Sequence, residues 1–482
     1  MSNTAQTSAM ERINLLLDDN SFVEIGAQVT KRSTDFNLQD KSVPGDGVIT
    51  GYGVIDGNAV YVYSQDASAL GGSIGEMHAK KITHIYDLAL KMGVPVIGLV
   101  DCAGLRLQEA CDALAGFGSL YLKQTMASGV IPQITAVFGS CGGGSAISAS
   151  LSDFTFMTEK GSQLFVNSPN ALEGNSTEKC DTSSAVFKAE NGVADFVESD
   201  EASVLAQIRT LVSILPANNE DDDSFDECQD DLNRLTYSAD SKDSAQALAD
   251  LSDDNFFMEV KKNFAKEMVT GFIRLNGMTV GAVANRTAVM DEAGKTTEKF
   301  DGSLTTKGCQ KASAFVSFCD AFGIPVLSLT DVKGYKACKC EEKTIAKAVA
   351  GLTYAFANAT VPKINVVTGQ AMGSAYIAMN SKHIGADMVF AFENAKIGMM
   401  DAKEAVKIMY AEEIKGAKDS VSFVNEKARE YENLQSSVQA AAQRGYVDAV
   451  ITPAETRKNL IYAFEMLFTK RESRPSKKHG TV

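Results

Sequence analysis

The chain has 482 residues, 45% of them hydrophobic and 22% charged, a composition that excludes collagen-like, coiled-coil and disordered proteins. At about 150 residues per domain, this length corresponds to roughly three units. The 46 basic and 61 acidic residues give a formal net charge of −15, which disfavours a broad surface for nucleic acid or anionic membranes, since both need a basic footprint. A local basic site for one anionic ligand is compatible with this charge.

The first eleven residues are polar and lack the apolar core of a secretion signal, so we expect a cytoplasmic protein. Nine cysteines scattered over a long chain indicate reduced thiols rather than a disulfide framework. Only Cys338 and Cys340 lie close together, whereas a zinc ribbon needs two Cys-x-x-Cys pairs. We therefore predict no metal site.

Strands and helices alternate along the chain. The spacing of Ile82, Ile85, Tyr86, Ala89 and Met92 predicts an amphipathic helix over Glu76–Met92, followed by a short apolar strand at residues 94–100. Residues 124–152 carry no charge, but their glycines, serines and proline predict a buried strand, loop and helix rather than a membrane span. Such alternation predicts an α/β fold with helices on the faces of a sheet.

An internal repeat is the most informative feature of the sequence. Residues 16–25 (LLDDNSFVEI) match residues 251–260 (LSDDNFFMEV), and residues 93–96 (GVPV) match residues 323–326 (GIPV). The order of the matches is the same in both halves. We predict two copies of one fold, at residues 1–235 and 236–482, with the acidic run at residues 218–223 as a solvated linker.

Each copy has a strand that ends in a glycine-rich turn and opens a helix. The strands are predicted at residues 133–138 and 363–368, and the turns at residues 139–146 (GSCGGGSA) and 369–376 (GQAMGSAY). Backbone N–H groups at such a turn lack helical partners and suit an anion or a developing oxyanion. Alternatively, the glycines only permit close packing of helix and strand. A second turn in each copy, at residues 101–106 and 331–336, favours one carbonyl-binding pocket per half.

Other chemistries have weaker support. Of the four histidines, we expect His78 and His84 to be surface or capping residues and His479 to lie in a solvated basic tail at residues 470–479. The Gly-x-Ser-x-Gly elbow of Ser–His–Asp hydrolases does not occur in either turn. The lack of an acid/base pair favours oxyanion stabilisation, with the base carried by a ligand.

At these residues the sequence resembles the carboxyltransferase component of biotin-dependent acyl-CoA carboxylases and the related decarboxylases, of the propionyl-CoA carboxylase β-subunit type. The similar segments are residues 44–53 (PGDGVITGYG), 64–66 (SQD), 71–81 (GGSIGEMHAKK), 127–133 (ASGVIPQ) and both glycine-rich turns. The resemblance implies two tandem crotonase-like domains, each a β-β-α superhelix, with acyl-CoA on the first and biotin on the second. It also implies a dimer or trimer of dimers with its active site at the dimer interface.

The resemblance assigns residues to this chemistry. The N–H groups of Gly143 and Gly144 would hold the thioester oxygen, and those of Ser374 and Ala375 the biotin ureido oxygen. Further substrate-binding residues are Gly72, Ser73, Lys80, Lys81, Gly104, Arg106, Gly373, Tyr376 and Ile377. We expect Lys80, Lys81, Arg106 or Lys123 either to supply positive charge for the CoA phosphates or to belong to solvated helix faces.

The chain departs from the family pattern at Cys102 and Ala103, where Ser-Gly is usual, and at Ser374, where a second glycine is usual. Ile377 stands at a position linked in the family to acyl-chain preference, which implies an acetyl-accepting or broad enzyme.

No Ala-Met-Lys-Met biotinylation motif occurs, so biotin is expected on a separate carrier protein, with a biotin carboxylase or a membrane decarboxylase subunit as a further partner. The alternatives are the α subunit of a sodium-pumping methylmalonyl-CoA decarboxylase, a crotonase-like hydratase or peptidase, and an inactive scaffold.

Overall fold

The computed structural model describes residues 7–32, 35–39, 43–175, 180–221, 227–291, 293–476 and 479–480. The chain divides into two compact units, residues 1–224 and 225–482, so the boundary predicted after residue 235 falls inside the second unit. In the predicted linker, Asn218 and Asn219 bond to Gly93 and Val130 of the first unit rather than standing free in solvent. Asp222 and Asp223 lie outside the described residues.

The first unit is one sheet flanked by helices. Its helices are α1 (Ala9–Leu16), α2 (Glu76–Met92), α3 (Ala110–Ala127), α4 (Gly144–Ser150), α5 (Ala185–Glu190) and α6 (Glu201–Ile214). Its strands are β1 (Val23–Glu24), β2 (Val48–Ile55), β3 (Asn58–Gln65), β4 (Val96–Cys102), β5 (Gln133–Gly142), β6 (Phe154–Thr158), β7 (Gln163–Phe165) and β8 (Phe196–Glu198). The sheet order is β1-β2-β3-β4-β5-β6-β8, with β7 paired to β5. The first three strands are antiparallel and the remaining pairs are parallel.

The second unit repeats this plan and adds elements to it. Its helices are α7 (Ser244–Leu251), α8 (Thr306–Ala321), α9 (Lys339–Glu342), α10 (Ile345–Asn358), α11 (Gly373–Ala378), α12 (Ala402–Met409), α13 (Ala411–Gly416), α14 (Ser420–Tyr431), α15 (Val438–Gln443) and α16 (Thr456–Leu467). Its main strands are β9 (Met258–Val260), β10 (Met268–Leu275), β11 (Met278–Asn285), β15 (Val326–Val332), β17 (Lys363–Met372), β18 (Met388–Phe392), β19 (Lys396–Gly398) and β20 (Ala449–Ile451). Two small sheets pair β12 (Ala288–Met290) with β13 (Thr296–Lys299) and β14 (Ser303–Leu304) with β16 (Gly334–Tyr335).

The main sheet of the second unit runs β9-β10-β11-β15-β17-β18-β20, with β19 paired to β17. Its order and strand directions match those of the first sheet, position by position. The predicted α/β alternation and the predicted repeat of one fold are therefore both present.

Helix α2 has the predicted bounds, because Gly93, at φ 65°, adopts the left-handed conformation that ends a helix. Ile82, Ile85 and Ala89 are fully buried, and each of the two isoleucine side chains contributes about 1.5–3 kcal/mol through burial. Met92 is the last residue of the helix, as predicted, and its side chain is 66% exposed.

Strands β5 and β17 extend four residues further than predicted, to Gly142 and Met372. These extra residues pair with β7 and β19, which lie later in the chain. Residues 124–152 form the end of α3, strand β5 and helix α4, so the predicted strand and helix are present, and most of the predicted loop belongs to β5. Within the described ranges, none of the helices is both long and apolar enough to cross a bilayer.

Candidate functional site

In the first unit, an aspartate at the end of β4 holds the start of the glycine-rich turn. The Asp101 N–H donates to Gln65 Oε1 (3.2 Å), and Asp101 Oδ1 accepts the N–H of Ser140 (3.2 Å). Burial raises the pKa of Asp101. A Cβ at Gly139 would lie 2.1 Å from the same carboxylate oxygen, so glycine is needed for this close approach.

The second unit repeats this arrangement around Asp331. The Asp331 N–H donates to Asn285 Oδ1 (3.2 Å), and Asp331 Oδ1 accepts the N–H of Gln370 (2.8 Å). Burial raises the pKa of this carboxyl as well. Each glycine-rich turn is therefore anchored by a carboxylate from the neighbouring strand.

The turn of the first unit has a left-handed residue at Gly143, with φ 60° and ψ −124°. Its N–H donates to the carbonyl of Phe165 (2.9 Å), which continues the pairing of β5 with β7 by one residue. This amide, one of the predicted donors to the thioester oxygen, is thus occupied within the sheet. The N–H of Gly144 has no acceptor among the residues that the structure describes. Tyr121 Oη donates to the carbonyl of Gly144 (2.7 Å).

The turn of the second unit leaves three successive amides, those of Gly373, Ser374 and Ala375, without an acceptor within the described part of the chain. Gly373 has φ 62°, and the N–H groups of Ser374 and Ala375 have no acceptor within the described part of the chain. At the repeat offset of 230 residues, these two positions correspond to Gly144 and Ser145. In the first unit, the equivalents of the unpaired donors Ser374 and Ala375 are therefore Gly144 and Ser145. This pair begins one residue later than the predicted pair of Gly143 and Gly144.

A cavity of about 790 Å³ adjoins the second turn. Its lining comprises Gly373, Ser374, Tyr376, Ile377, His383, Ile397, Gly398, Met399, Gln435, Ala441, Arg444 and Tyr446. Tyr376 is only 4% exposed, and its hydroxyl has no hydrogen-bond partner among the described residues. Burial raises the pKa of this phenol to about 12, so it stays protonated at neutral pH. An unpaired buried hydroxyl is costly, and a polar ligand atom in the cavity would relieve that cost.

Sequence-predicted residues of the first unit meet beside its turn. The N–H of Ile74 donates to the carbonyl of Gly104 (2.9 Å), and the N–H of Arg106 donates to the carbonyl of Ile74 (2.9 Å). A Cβ at Gly72 would lie 2.2 Å from the Asp101 carbonyl oxygen, and one at Gly104 would lie 3.5 Å from the Gly142 carbonyl oxygen. Gly72, Ser73, Gly104 and Arg106 therefore form one backbone layer against the turn.

The Arg106 side chain points into the protein rather than toward a surface ligand. Its guanidinium is 1% exposed and bonds to Asp46 Oδ1 (2.5 Å), Glu109 Oε1 (2.8 Å) and the Ser73 carbonyl (2.9 Å). Desolvation raises the pKa of Asp46, although the charge of Arg106 opposes that shift. Because its donors are occupied, Arg106 fixes the layer beside the turn and is not available for CoA phosphates.

The predicted lysines differ in their surroundings. Lys81 is 5% exposed, and its ammonium donates to the carbonyls of Gly45 (3.1 Å) and Val48. Lys80 is exposed and pairs with Glu76, and Lys123 is partly exposed and pairs with Asp87. Only Lys80 and Lys123 thus have the exposure that a phosphate contact requires.

The prediction that His78 is a surface or capping residue was wrong. It is fully buried. Its Nδ1 is hydrogen-bonded to the Asp46 carbonyl oxygen (2.9 Å), and its Nε2 is hydrogen-bonded to Gln65 Nε2 (3.1 Å). Burial lowers the pKa of the imidazole to about 3. His84 and His479 are exposed, as expected, although Lys470 of the predicted solvated tail anchors to the Val361 carbonyl (3.0 Å). All nine cysteines are free thiols.

Sequence reasoning did not single out the tyrosines that bond to the two turns. Tyr335 Oη donates to Ser374 Oγ (2.8 Å), and Tyr121 bonds to Gly144 as described above. Tyr335 stands in the predicted second turn at residues 331–336, so its position in the sequence was a usable signal. Tyr121 lies in α3, where helical spacing gave no indication of its hydroxyl contact.

The sequence matches the family model described as the carboxyl transferase domain over residues 3–482. The α subunit of methylmalonyl-CoA decarboxylase from Propionigenium modestum is 38% identical, with 99% of this chain and 93% of that protein aligned. The propionyl-CoA carboxylase β chain of Roseobacter denitrificans is 39% identical, with 98% and 93% aligned.

The structure is similar to the crystal structure of transcarboxylase 12S, which forms a hexamer and was solved with methylmalonyl-CoA and methylmalonic acid bound. The TM-score is 0.91 at 37% identity, over 98% of this chain and 91% of that chain. This similarity confirms the predicted α/β class with two tandem crotonase-like domains. The chain belongs to the carboxyl transferase domain family.

Proposed function

We propose that the protein is a biotin-dependent carboxyltransferase that moves a carboxyl group between carboxybiotin on a carrier protein and the α-carbon of a short acyl-CoA. The observation that carries this proposal is the pair of free amides at Ser374 and Ala375, in a turn where Ser374 and the unpaired hydroxyl-bearing Tyr376 line a cavity. The same strand and turn recur in the first unit, where a second carbonyl ligand would bind.

The second turn suits a ureido group. Two adjacent N–H donors would hold its oxygen, and Tyr376 would donate to a further polar atom of the bound group. When bound, carboxybiotin supplies the carboxyl group and a ureido nitrogen that takes up the α-proton of the acyl-CoA. Among the described residues, the cavity lining contains His383 and no carboxylate.

The first turn would bind the thioester oxygen through Gly144, with Ser145 as the second donor by the register of the repeat. Gly143 supplies the left-handed turn that aims these amides, and it would donate as well only if it released Phe165. The first unit is accordingly the acyl-CoA side and the second the biotin side. For the CoA phosphates we retain Lys80 and Lys123 as partners, because Lys81 and Arg106 are buried and engaged.

The partners follow from this chemistry. A biotinylated carrier would deliver the cofactor, a biotin carboxylase or a membrane decarboxylase subunit would complete the system, and this chain would form a homo-oligomer. The relatives include both carboxylase and decarboxylase subunits at 39% and 38% identity, so decarboxylation is the second candidate function. Acetyl or broad acyl acceptance is implied for Ile377 by the family resemblance alone, since the cavity that it lines is the one assigned to biotin.

The test is decarboxylation of malonyl-CoA or methylmalonyl-CoA by the purified protein, with and without free biotin or a biotinylated carrier. We expect turnover that depends on biotin. Turnover without biotin, or none with either acyl-CoA, would refute the proposal. Co-purification with a membrane protein rather than an ATP-dependent carboxylase would select the decarboxylase.

A matched pair of variants locates the donors. Ala375 lies in the first turn of α11, where its N–H has no helical partner, so Ala375→Pro removes one free donor without breaking a helical hydrogen bond. Loss of one oxyanion donor is expected to lower kcat by about 10²–10³-fold. Ala375→Gly keeps the N–H and serves as the control. Equal rates in both variants would contradict the assignment.

A further inference from the structure

A pair of hydroxyl groups lies at the second turn. Tyr335 Oη donates to Ser374 Oγ over 2.8 Å, and Ser374 lines the cavity beside the turn. Ser374 is exposed and is the second residue of α11. The side chain is therefore next to its own free N–H and to that of Ala375.

Backbone pairing on both sides fixes the position of Tyr335. Strand β16 pairs in parallel with β14, which places Tyr335 opposite Leu304. The N–H of Lys333 donates to the Gly302 carbonyl (2.9 Å), and the N–H of Lys336 donates to the Leu304 carbonyl (2.9 Å). The backbone around Tyr335 is therefore held on both sides, and the side chain, which is 38% exposed, reaches Ser374 Oγ through its hydroxyl.

This contact determines what the serine hydroxyl can do. Because Tyr335 donates, Ser374 Oγ uses a lone pair for the tyrosine and keeps its own hydrogen. That hydrogen has no acceptor among the residues described. A hydroxyl that accepts one hydrogen bond becomes a better donor in the next, since hydrogen bonds in a chain polarise one another. The acceptor would be the occupant of the cavity, where the buried hydroxyl of Tyr376 also lacks a partner.

The first unit lacks this feature. The residue at the position of Ser374 is Gly144, which has no side chain, and Tyr121 donates to its backbone carbonyl instead. The two turns therefore share their backbone but differ in side-chain donors.

We propose that Tyr335 orients the hydroxyl of Ser374 as a third donor to the ligand oxygen bound at the second turn, beside the N–H groups of Ser374 and Ala375. Under the proposed function, on which this inference rests, that oxygen belongs to the ureido group of biotin. Ser374 contacts the ligand, whereas Tyr335 is a positioning residue that acts only through Ser374.

The test is a double-mutant cycle on the full chain, with free biotin and malonyl-CoA as substrates. We expect Tyr335→Phe and Ser374→Ala each to lower kcat/KM for biotin by about tenfold, as loss of one useful hydrogen bond does. The double variant should be no slower than Ser374→Ala, and KM for malonyl-CoA should not change. Ser374→Thr, which keeps the hydroxyl, should retain most of the activity lost in Ser374→Ala.

Tyr354→Phe is the control. Tyr354 and Tyr335 both line a second cavity, separate from the one beside the turn, and Tyr354 is not assigned to the site. It should behave as the wild type. The inference would be overturned if the losses of kcat/KM in Tyr335→Phe and Ser374→Ala multiplied in the double variant, or if Tyr335→Phe had the wild-type rate. Both results would leave biotin-dependent transfer intact. A wild-type protein without biotin-dependent turnover would refute the proposed function, and the inference with it.

Discussion

Replacing Arg106 with methionine should destabilise the first unit more than any surface change. The guanidinium is 1% exposed and separates two buried carboxylates, Asp46 and Glu109, which are 0% and 3% exposed. Each of these keeps only one backbone donor in the variant, from His78 to Asp46 (2.8 Å) and from Glu76 to Glu109 (2.6 Å). Removing one partner of a buried ion pair costs about 3–5 kcal/mol, since it leaves uncompensated charge in the interior.

The loss should depend on pH in a defined direction. Burial already raises the pKa of Asp46, and Arg106 opposes that rise, so the variant raises the pKa further. The folded variant then binds a proton that the unfolded chain has released, and its stability falls as the pH increases through the raised pKa. The deficit relative to the wild type is therefore expected to be larger at pH 8 than at pH 5.

Hydrogen exchange followed by mass spectrometry measures this effect, because peptides of residues 227–291 and 293–476 in the second unit serve as an internal reference. Lys80→Met is the matched control, since it breaks an exposed pair with Glu76 that is worth at most about 1 kcal/mol. Adding Asp46→Asn and Glu109→Gln to the Arg106 variant should restore part of the protection. An Arg106→Met loss equal to that of the control, or a larger loss at pH 5, would refute the reasoning.

Two further changes test the second unit. In Gly369→Ala, the new Cβ would lie 2.5 Å from Asp331 Oδ1 and displace the carboxylate from the Gln370 N–H. Biotin-dependent turnover should therefore fall by about tenfold or more. An unchanged rate would show that the hydrogen bond from Gln370 to Asp331 is dispensable. Burial lowers the pKa of Lys311 to about 7, so the unfolded chain binds the extra proton above pH 7, and stability should rise from pH 7 toward pH 10. Urea denaturation should show a smaller rise in Lys311→Met, and identical pH profiles would contradict a buried neutral lysine.

Helix α2 was predictable because its signals are local. Glycines flank both of its ends, and its apolar residues recur at helical spacing. The same spacing also contained an unused signal, because His78 lies four residues before Ile82, on the buried stripe. Polarity alone suggested that His78 was at the surface, whereas its two buried hydrogen bonds depend on Asp46 and Gln65, which are distant in sequence.

The ends of β5 and β17 were not predictable from local pattern. Residues 139–142 are glycine, serine and cysteine, which carry no strand signal, and they extend the strand through pairing with β7 and, at Cys141, with β4. That pairing also accounts for the occupied amide of Gly143, since the hydrogen bond to Phe165 continues the ladder. A motif identifies the turn, but the register of the neighbouring strand decides which amides stay free.

Duplication explains why the two turns are built alike, and divergence explains how their side chains came to differ. The anchoring carboxylates Asp101 and Asp331 accept equivalent amides, so the backbone frame is the same in both units. The side chains carried by that backbone differ between the two units. A turn with Gly144 offers backbone donors alone, which suits a flexible thioester, whereas Ser374 and its partner Tyr335 add a directed hydroxyl that suits one rigid ring. Specificity in this fold thus depends on the few side chains added to a shared set of amides, and substitutions there should alter ligand preference before they alter stability.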